Sequence, residues 1–164
     1  MKKFIKAALM VCLSIIMMMP TMAFAADENV PEWEDLPLTQ EEFDNIISPY
    51  EVNTENMRTS GLITIYGIAL QRNGSNINIA GKTYCNADVV KCGFTVIKIE
   101  RRISQYSSWT DYTTYEDLYN DSAAYFLSKT IYAPTGYQYR ATCTHYAKKS
   151  LLSTEKINNT SNIV

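Results

Sequence analysis

The sequence has little of the residue types on which most catalytic and metal sites depend. It contains one histidine, four cysteines and six glycines, with no Gly-x-Ser-x-Gly motif and no glycine-rich phosphate loop. A serine hydrolase would have to use His145, and no cysteine or histidine spacing matches a zinc knuckle or ribbon. The basic residues form no dense stripe, which argues against nucleic-acid binding. We therefore expect a non-enzymatic protein without a cofactor or a metal site.

Long apolar runs are absent except at the N-terminus. A segment with three lysines precedes an almost unbroken apolar run from Ala7 to Met19, and Ala23-Phe24-Ala25 forms an A-x-A cleavage motif. The run is too short for a comfortable membrane span. Residues 1–25 are therefore predicted to be a secretory signal peptide. The mature chain is expected to be secreted and to keep no stable membrane span.

Positive charge is missing from the segment that follows. Residues 26–57 hold ten acidic residues and no Lys or Arg, whereas residues 58–164 hold twelve basic and seven acidic residues. We interpret residues 26–59 as an acidic arm, which either stays solvated or folds back on a basic face of the domain.

One short helix is predicted within the arm. Thr39-Gln40-Glu41-Glu42 has the form of a capping box, and Phe43, Ile46 and Ile47 fall on one helical face. Pro49 disfavours helix at the residue before it. We expect a helix over about 40–47, which is stable only if its apolar face packs against another part of the protein.

Residues 60–164 show the alternation typical of β-strands. Strands are predicted over 61–71, 76–85 and 94–102, on both sides of a tight turn at 133–136, and at an edge near 162–164. Asn73-Gly74 predicts a type I′ hairpin, and residues 105–121 are interpreted as a loop with a short strand near 109–114. Short strands with turns between them predict an all-β fold, an immunoglobulin/fibronectin III-like antiparallel sandwich.

The strand after the 133–136 turn carries the clearest pattern. One face is predicted to hold Tyr137, Tyr139, Ala141, Cys143 and His145, and the other to hold Gln138, Arg140, Thr142 and Thr144. Tyr139 lies four residues before Cys143, which is closer to a fibronectin III domain, where a tyrosine opens this strand. No tryptophan stands in the third strand, and Phe94 is predicted to take its place.

Cleavage of the signal leaves three cysteines, Cys85, Cys92 and Cys143. Alternation turns Cys85 and Cys143 inward, and an immunoglobulin-like sandwich ties its B and F strands in this way. We predict a Cys85–Cys143 disulfide, because an exported chain meets an oxidising compartment. The pairs Cys85–Cys92 and Cys92–Cys143, and a chain without a bridge, stay open.

Aromatic residues form the feature with the most binding character. Trp109, Tyr112, Tyr115 and Tyr119 lie within a short polar stretch, and the chain has twelve tyrosines. Such side chains suit a protein contact or a sugar ring, and they also cover cores. The main hypothesis is an exported binding or structural module that contacts a protein or an envelope component. The alternatives are a carbohydrate-binding module, with an envelope glycan stacked on these rings, and a small hydrolase that uses the acidic residues of the same stretch, Asp111, Glu116, Asp117 and Asp121.

The second half of the chain also resembles a known group of proteins. The matching segments are Ile97-Lys98-Ile99-Glu100-Arg101-Arg102, Leu127-Ser128-Lys129-Thr130 and Gly136-Tyr137-Gln138-Tyr139-Arg140-Ala141, together with Trp109, His145 and Thr160-Ser161. From Phe94 to Val164 the sequence resembles small secreted proteins of uncharacterised function from Clostridia-like Firmicutes. In that group Glu100 is often replaced by Gln. The resemblance implies an exported protein of a Gram-positive bacterium and no particular activity.

Overall fold

The computed structural model describes residues 31–54 and 61–164, so the predicted signal peptide, residues 1–25, lies outside the described residues. These residues form one α-helix, one short 3-10 helix and nine strands. In chain order the elements are β1 (Glu34–Asp35), α1 (Gln40–Ile47), the 3-10 helix (Ser48–Tyr50), β2 (Val52–Asn53), β3 (Ile63–Asn73), β4 (Asn76–Cys85), β5 (Lys91–Arg102), β6 (Thr110–Asn120), β7 (Ala124–Tyr132), β8 (Gln138–Ser150) and β9 (Ser153–Thr160).

The strands form two antiparallel sheets packed as a sandwich, which confirms the predicted all-β class. The first sheet has the order β1-β7-β4-β3-β2 and the second has the order β6-β5-β8-β9. Among the seven long strands, β3 to β9, the fourth (β6) pairs with the third (β5). A constant-type immunoglobulin domain places its fourth strand beside the fifth. The arrangement is therefore the fibronectin III-like form of the predicted sandwich.

Alternating apolar residues fill the space between the sheets. Ile77 and Ile79 of β4 and Ile97 and Ile99 of β5 are all fully buried, because every second side chain of a strand points to the same face. Phe94, at the position where a tryptophan was missing, is also fully buried. Burying one such side chain contributes about 1.5–3 kcal/mol, so this cluster holds the two sheets together.

Tyr139 opens β8 as predicted. Its ring is fully buried, and its hydroxyl donates to the carbonyl oxygen of Pro134 at 3.1 Å. A tyrosine corner makes the same bond to the backbone a few residues upstream. The guanidinium of Arg72 lies 4.9 Å from the ring centroid. Tyr139 therefore ties the connection between β7 and β8 to the core.

The predicted capping box begins α1. The hydroxyl of Thr39 accepts from the Glu42 N–H at 3.3 Å, and the Thr39 N–H donates to the Glu42 carboxylate at 2.9 Å. The hydrogen bond from the backbone of Thr39 lowers the pKa of Glu42. Two of the N–H groups that a helix start leaves without a partner are satisfied in this way.

The apolar face of α1 docks on the outer face of the first sheet. Phe43, Ile46 and Ile47 are buried there against Ala69 and Ala80, whose small side chains allow the helix to lie close to the sheet. Residues 31–54 of the arm are thus packed on the domain rather than solvated, because they also supply β1 to the edge beside β7 and β2 to the edge beside β3.

Four local predictions for the strands were wrong. The stretch interpreted as a loop forms the eleven-residue strand β6, in which Asp117 has a φ of 58° and interrupts the alternation. The hairpin after β3 turns at Gly74-Ser75, with φ 60° at Gly74, which fits a type II′ rather than a type I′ turn. The strands on either side of residues 133–136 are not paired with each other, because they belong to different sheets. The edge strand of the tail is β9 at Ser153–Thr160 rather than a strand near 162–164.

Candidate functional site

Trp109 lies immediately before β6 and is half-buried. The guanidinium carbons of Arg102 and Arg140 lie 4.3 and 4.4 Å from the centroid of its ring. Both arginines are fixed by further bonds, because Arg102 donates to the side-chain oxygen of Gln138 at 2.8 Å and Arg140 donates to the Glu100 carboxylate at 2.8 Å. The structure therefore places Trp109 in a polar cluster on the outer face of the second sheet.

Tyr112 and Tyr115 are turned towards the edge of the core. Tyr112 donates to the carbonyl oxygen of Tyr132 at 2.9 Å. Tyr115 stacks on Trp33 with 3.5 Å between ring centroids and donates to the carbonyl oxygen of Pro31 at 2.8 Å. Burial raises the pKa of Tyr115. These two tyrosines close the side of the sandwich, where the arm passes over it.

Tyr119 lies near the other end of β6. Its ring is 5.2 Å from that of Tyr146, and the ammonium of Lys91 lies 4.7 Å from its centroid. Ten residues of extended chain separate it from Trp109, a distance of roughly 33 Å. The four predicted binding residues are therefore split among two ends of the sheet and one edge of the core, and they do not form one platform.

The predicted Cys85–Cys143 disulfide is not formed, and Cys85, Cys92 and Cys143 are free thiols. The side chain of Thr83 in β4 contacts that of His145 in β8. Cys85 lies two residues further along β4, and it packs in the same cluster as Ala147, two residues further along β8. Ala147 and Cys143 are four residues apart on β8, which is roughly 13 Å. A disulfide requires Cα atoms within about 7 Å.

His145 is enclosed by the core. Its Nδ1 lies 2.8 Å from the hydroxyl of Thr83, and its Nε2 lies 3.4 Å from the sulfur of Cys143. Because the Thr83 hydroxyl also donates to the carbonyl oxygen of Gly93 at 3.2 Å, we assign the ring proton to Nδ1, which leaves Nε2 to accept from the thiol. Burial lowers the pKa of His145 to about 3 and raises the pKa of Cys143. A neutral ring closed off from solvent is suited to holding two sheets together.

Asp111 lies apart from the other acidic residues of β6. Asp111 forms an ion pair with Lys98 at 3.2 Å. Asp111 and Glu116 are five residues apart, or roughly 16 Å along the strand, whereas paired carboxylates that cleave glycosidic bonds lie within about 10 Å. Among residues 31–54 and 61–164, no group of three or more His, Cys, Asp or Glu side chains could hold a metal ion.

A shallow groove of about 350 Å³ lies on the outer face of the second sheet, between β5, β8 and β9. It is lined by Val96, Lys98, Thr142, Cys143, Thr144, Asn158, Asn159 and Thr160. Sequence reasoning missed this groove, although it predicted that Thr142 and Thr144 share the outward face of their strand. The missing information was that Asn158 and Thr160 of β9 stand beside them.

Cations outnumber carboxylates on this outer face. The strand registers place six cations on it, Lys91, Lys98, Arg102, Arg140, Lys148 and Lys156, against three carboxylates, Glu100, Asp111 and Glu116. Asp117, which lies beside Tyr119 on this face, adds a fourth carboxylate. We call these outward positions of β5, β6, β8 and β9 the basic face. Its sign is opposite to that of the chain as a whole, whose formal net charge is −2.

Among the described residues, no helix is long and apolar enough to cross a membrane. No protein-family model, no curated protein and no solved structure matches the chain.

Proposed function

We propose that the chain is an exported, non-enzymatic binding module that contacts an anionic component of the cell envelope through its basic face. The observation that carries this proposal is the difference between the two outer surfaces of the sandwich. In the described residues, α1 covers the outer face of the first sheet around Ala69 and Ala80, whereas no helix lies on the outer face of the second sheet, which carries the groove. A rigid antiparallel sheet with one open face offers fixed side chains to a partner without a change of fold.

The charge of the basic face selects the class of partner. An excess of cations attracts an anionic surface and raises the rate of encounter. Two of its cations, Lys98 and Arg140, are already balanced by carboxylates in ion pairs. The groove between β5, β8 and β9 offers threonine hydroxyls and asparagine amides, which can donate hydrogen bonds to the oxygens of a polymer or of a carboxylate-rich protein.

Trp109 supports a charged contact better than a sugar platform. A sugar ring stacks on an open aromatic face, whereas the ring of Trp109 already carries two guanidinium groups within 4.4 Å of its centroid. The tyrosines that would extend the platform, Tyr112 and Tyr115, point to the edge of the core. Trp109 is therefore proposed to hold Arg102 and Arg140 in place at one end of the basic face.

The test is cosedimentation of the purified chain with isolated Gram-positive cell walls. Three wall preparations are compared: intact, digested with protease, and stripped of phosphodiester polymers by acid. We expect binding to survive the protease, to be lost after acid treatment and to weaken with salt. Binding that disappears on protease digestion would replace the polymer with a protein partner, and binding to none of the preparations would refute the proposal.

A matched pair of charge variants locates the contact. Lys156→Gln removes one charge from the basic face, and Lys149→Gln removes one exposed charge outside it, where Lys149 pairs with Asp88. We expect Lys156→Gln to weaken binding by about two- to fivefold, the effect of one exposed charge pair, and Lys149→Gln to leave it unchanged. Equal effects of the two variants would mean that net charge alone attracts the chain to the wall.

A further inference from the structure

Cys85 and Cys92 bring two thiols together at one end of the sandwich. Cys85 is the last residue of β4 in the first sheet, and Cys92 is the second residue of β5 in the second sheet. Both side chains are buried, with exposed fractions of 4% and 0%, and they belong to the same apolar cluster as Val89 and Ala147. The sulfur of Cys92 lies 3.8 Å from the carbonyl oxygen of Thr83, two residues before Cys85 on β4.

The backbone around the pair is fixed on both sides. The N–H of Cys85 donates to the carbonyl oxygen of Ala123 at 2.8 Å, and the N–H of Asn86 donates to that of Leu62 at 2.9 Å. On the other side, the N–H of Val90 donates to the carbonyl oxygen of Lys148 at 2.9 Å. The short connection between the cysteines therefore holds the ends of β4 and β5 in place, so that both side chains stay in the same buried cluster.

We propose that Cys85 and Cys92 form a disulfide that links the two sheets, while Cys143 stays a thiol. The oxidant is a disulfide, either that of a thiol–disulfide oxidoreductase or that of a small molecule such as oxidised glutathione. One cysteine attacks a sulfur of the oxidant, which forms a mixed disulfide and releases one thiol. The second cysteine then attacks the first, the S–S bond closes, and the oxidant leaves as its second thiol. Two protons and two electrons pass from the pair to the oxidant.

Either cysteine of the pair can attack first. The thiolate is the nucleophile in this exchange. Because both sulfurs are buried, an oxidant reaches them during folding or when the connection at residues 86–90 opens.

Cys143 has no part in this pair. It lies in the main core cluster rather than in the cluster that holds Cys85 and Cys92. Its sulfur contacts the Nε2 of His145 at 3.4 Å. It therefore provides an internal control, because it is a buried thiol in the same protein that is too far from both partners to form a bridge.

The test is peptide mapping of the purified chain after equilibration in mixtures of reduced and oxidised glutathione. The protein is quenched in acid, alkylated under denaturing conditions and digested for mass spectrometry without reductant. We expect Cys85 and Cys92 to be joined and protected from alkylation, with a loss of two hydrogen masses, while Cys143 is alkylated. A Cys85–Cys143 or Cys92–Cys143 bridge, or alkylation of all three in the most oxidising mixture, would overturn the proposal.

Three variants sharpen the result. Cys85→Ala and Cys92→Ala should each leave the remaining partner open to alkylation or glutathionylated, whereas Cys143→Ala should form the bridge at the same glutathione ratio as the unmodified chain. If a variant does not fold, the mapping of the unmodified chain still decides the pairing. Oxidation that stops at a glutathione adduct on Cys92 in the unmodified chain would also contradict the proposal, because the neighbouring thiol should displace it.

Discussion

One buried side chain should make this fold sensitive to mild acid, since His145 is the chain's only histidine and is fully buried. Burial lowers its pKa from 6.5 to about 3. The unfolded chain therefore takes up the imidazole proton near pH 6.5, and the folded chain takes it up only near pH 3. The stabilisation that depends on the neutral ring is complete above pH 6.5 and is lost as the pH falls towards 3.

The size of the effect follows from the two pKa values. Each pH unit below 6.5 costs about 1.4 kcal/mol of stability until the folded state itself is protonated. At pH 5 the loss is therefore roughly 2 kcal/mol. A second proton on the ring would bring an N–H towards the sulfur of Cys143, which is a weak acceptor, and would place a charge where burial has removed water.

The assay is urea unfolding at pH 7 and pH 5, with reductant present, for the unmodified chain and for His145→Gln. The carboxylates are common to both proteins, so their contributions cancel when the two losses of stability are subtracted. We expect the unmodified chain to lose about 2 kcal/mol more than the variant between the two pH values. His145→Phe serves as a second variant of similar size if His145→Gln is too unstable. Equal losses in the unmodified chain and the variants would refute the argument.

Two further substitutions test the packing of the sandwich, with urea unfolding as the measurement. Phe43→Ala should lower the free energy of unfolding by about 3–5 kcal/mol, because Phe43 is only 6% exposed between α1 and the first sheet. Asn45→Ala, at an exposed position of the same helix, should change it by less than about 0.5 kcal/mol, and equal effects of the two variants would mean that docking of α1 adds no stability. Gly81→Ala should cost about 1–3 kcal/mol, because its Cβ would lie 2.9 Å from the ring of Phe94; unchanged stability would show that the ring moves aside freely.

The part of the fold that was predictable from the sequence is the part with strong local signals. The capping box at Thr39 and the apolar face of α1 specify a helix within a few residues. In β4 and β8 every second residue points into the core. The residues between them face solvent or, in β4, the helix α1, so the alternation is clear in the sequence. In each case a single segment contains all the information about which side chains point inward.

The parts that were missed depend on neighbours in space. Strand β6 is at a sheet edge, and its outward residues are polar, so few apolar residues mark it; the irregularity at Asp117 then shifts the alternation. The disulfide prediction treated inward-facing cysteines as equivalent. The prediction that Cys85 and Cys143 point inward was correct. Their positions along the length of the sandwich, however, depend on the register between strands, which the sequence of one segment does not reveal.

The basic face was hidden from the sequence for the same reason. Lys98, Arg140 and Lys156 belong to three strands and are separated by more than a dozen residues each, so no basic run appears in the chain. Pairing of β5 with β8 and of β8 with β9 brings them onto one surface, where neighbouring strands lie about 4.8 Å apart. In an antiparallel sandwich, the charge of a sheet face is set by every second residue of several strands. The scattered basic residues from which no binding stripe was predicted are the ones that make this surface cationic.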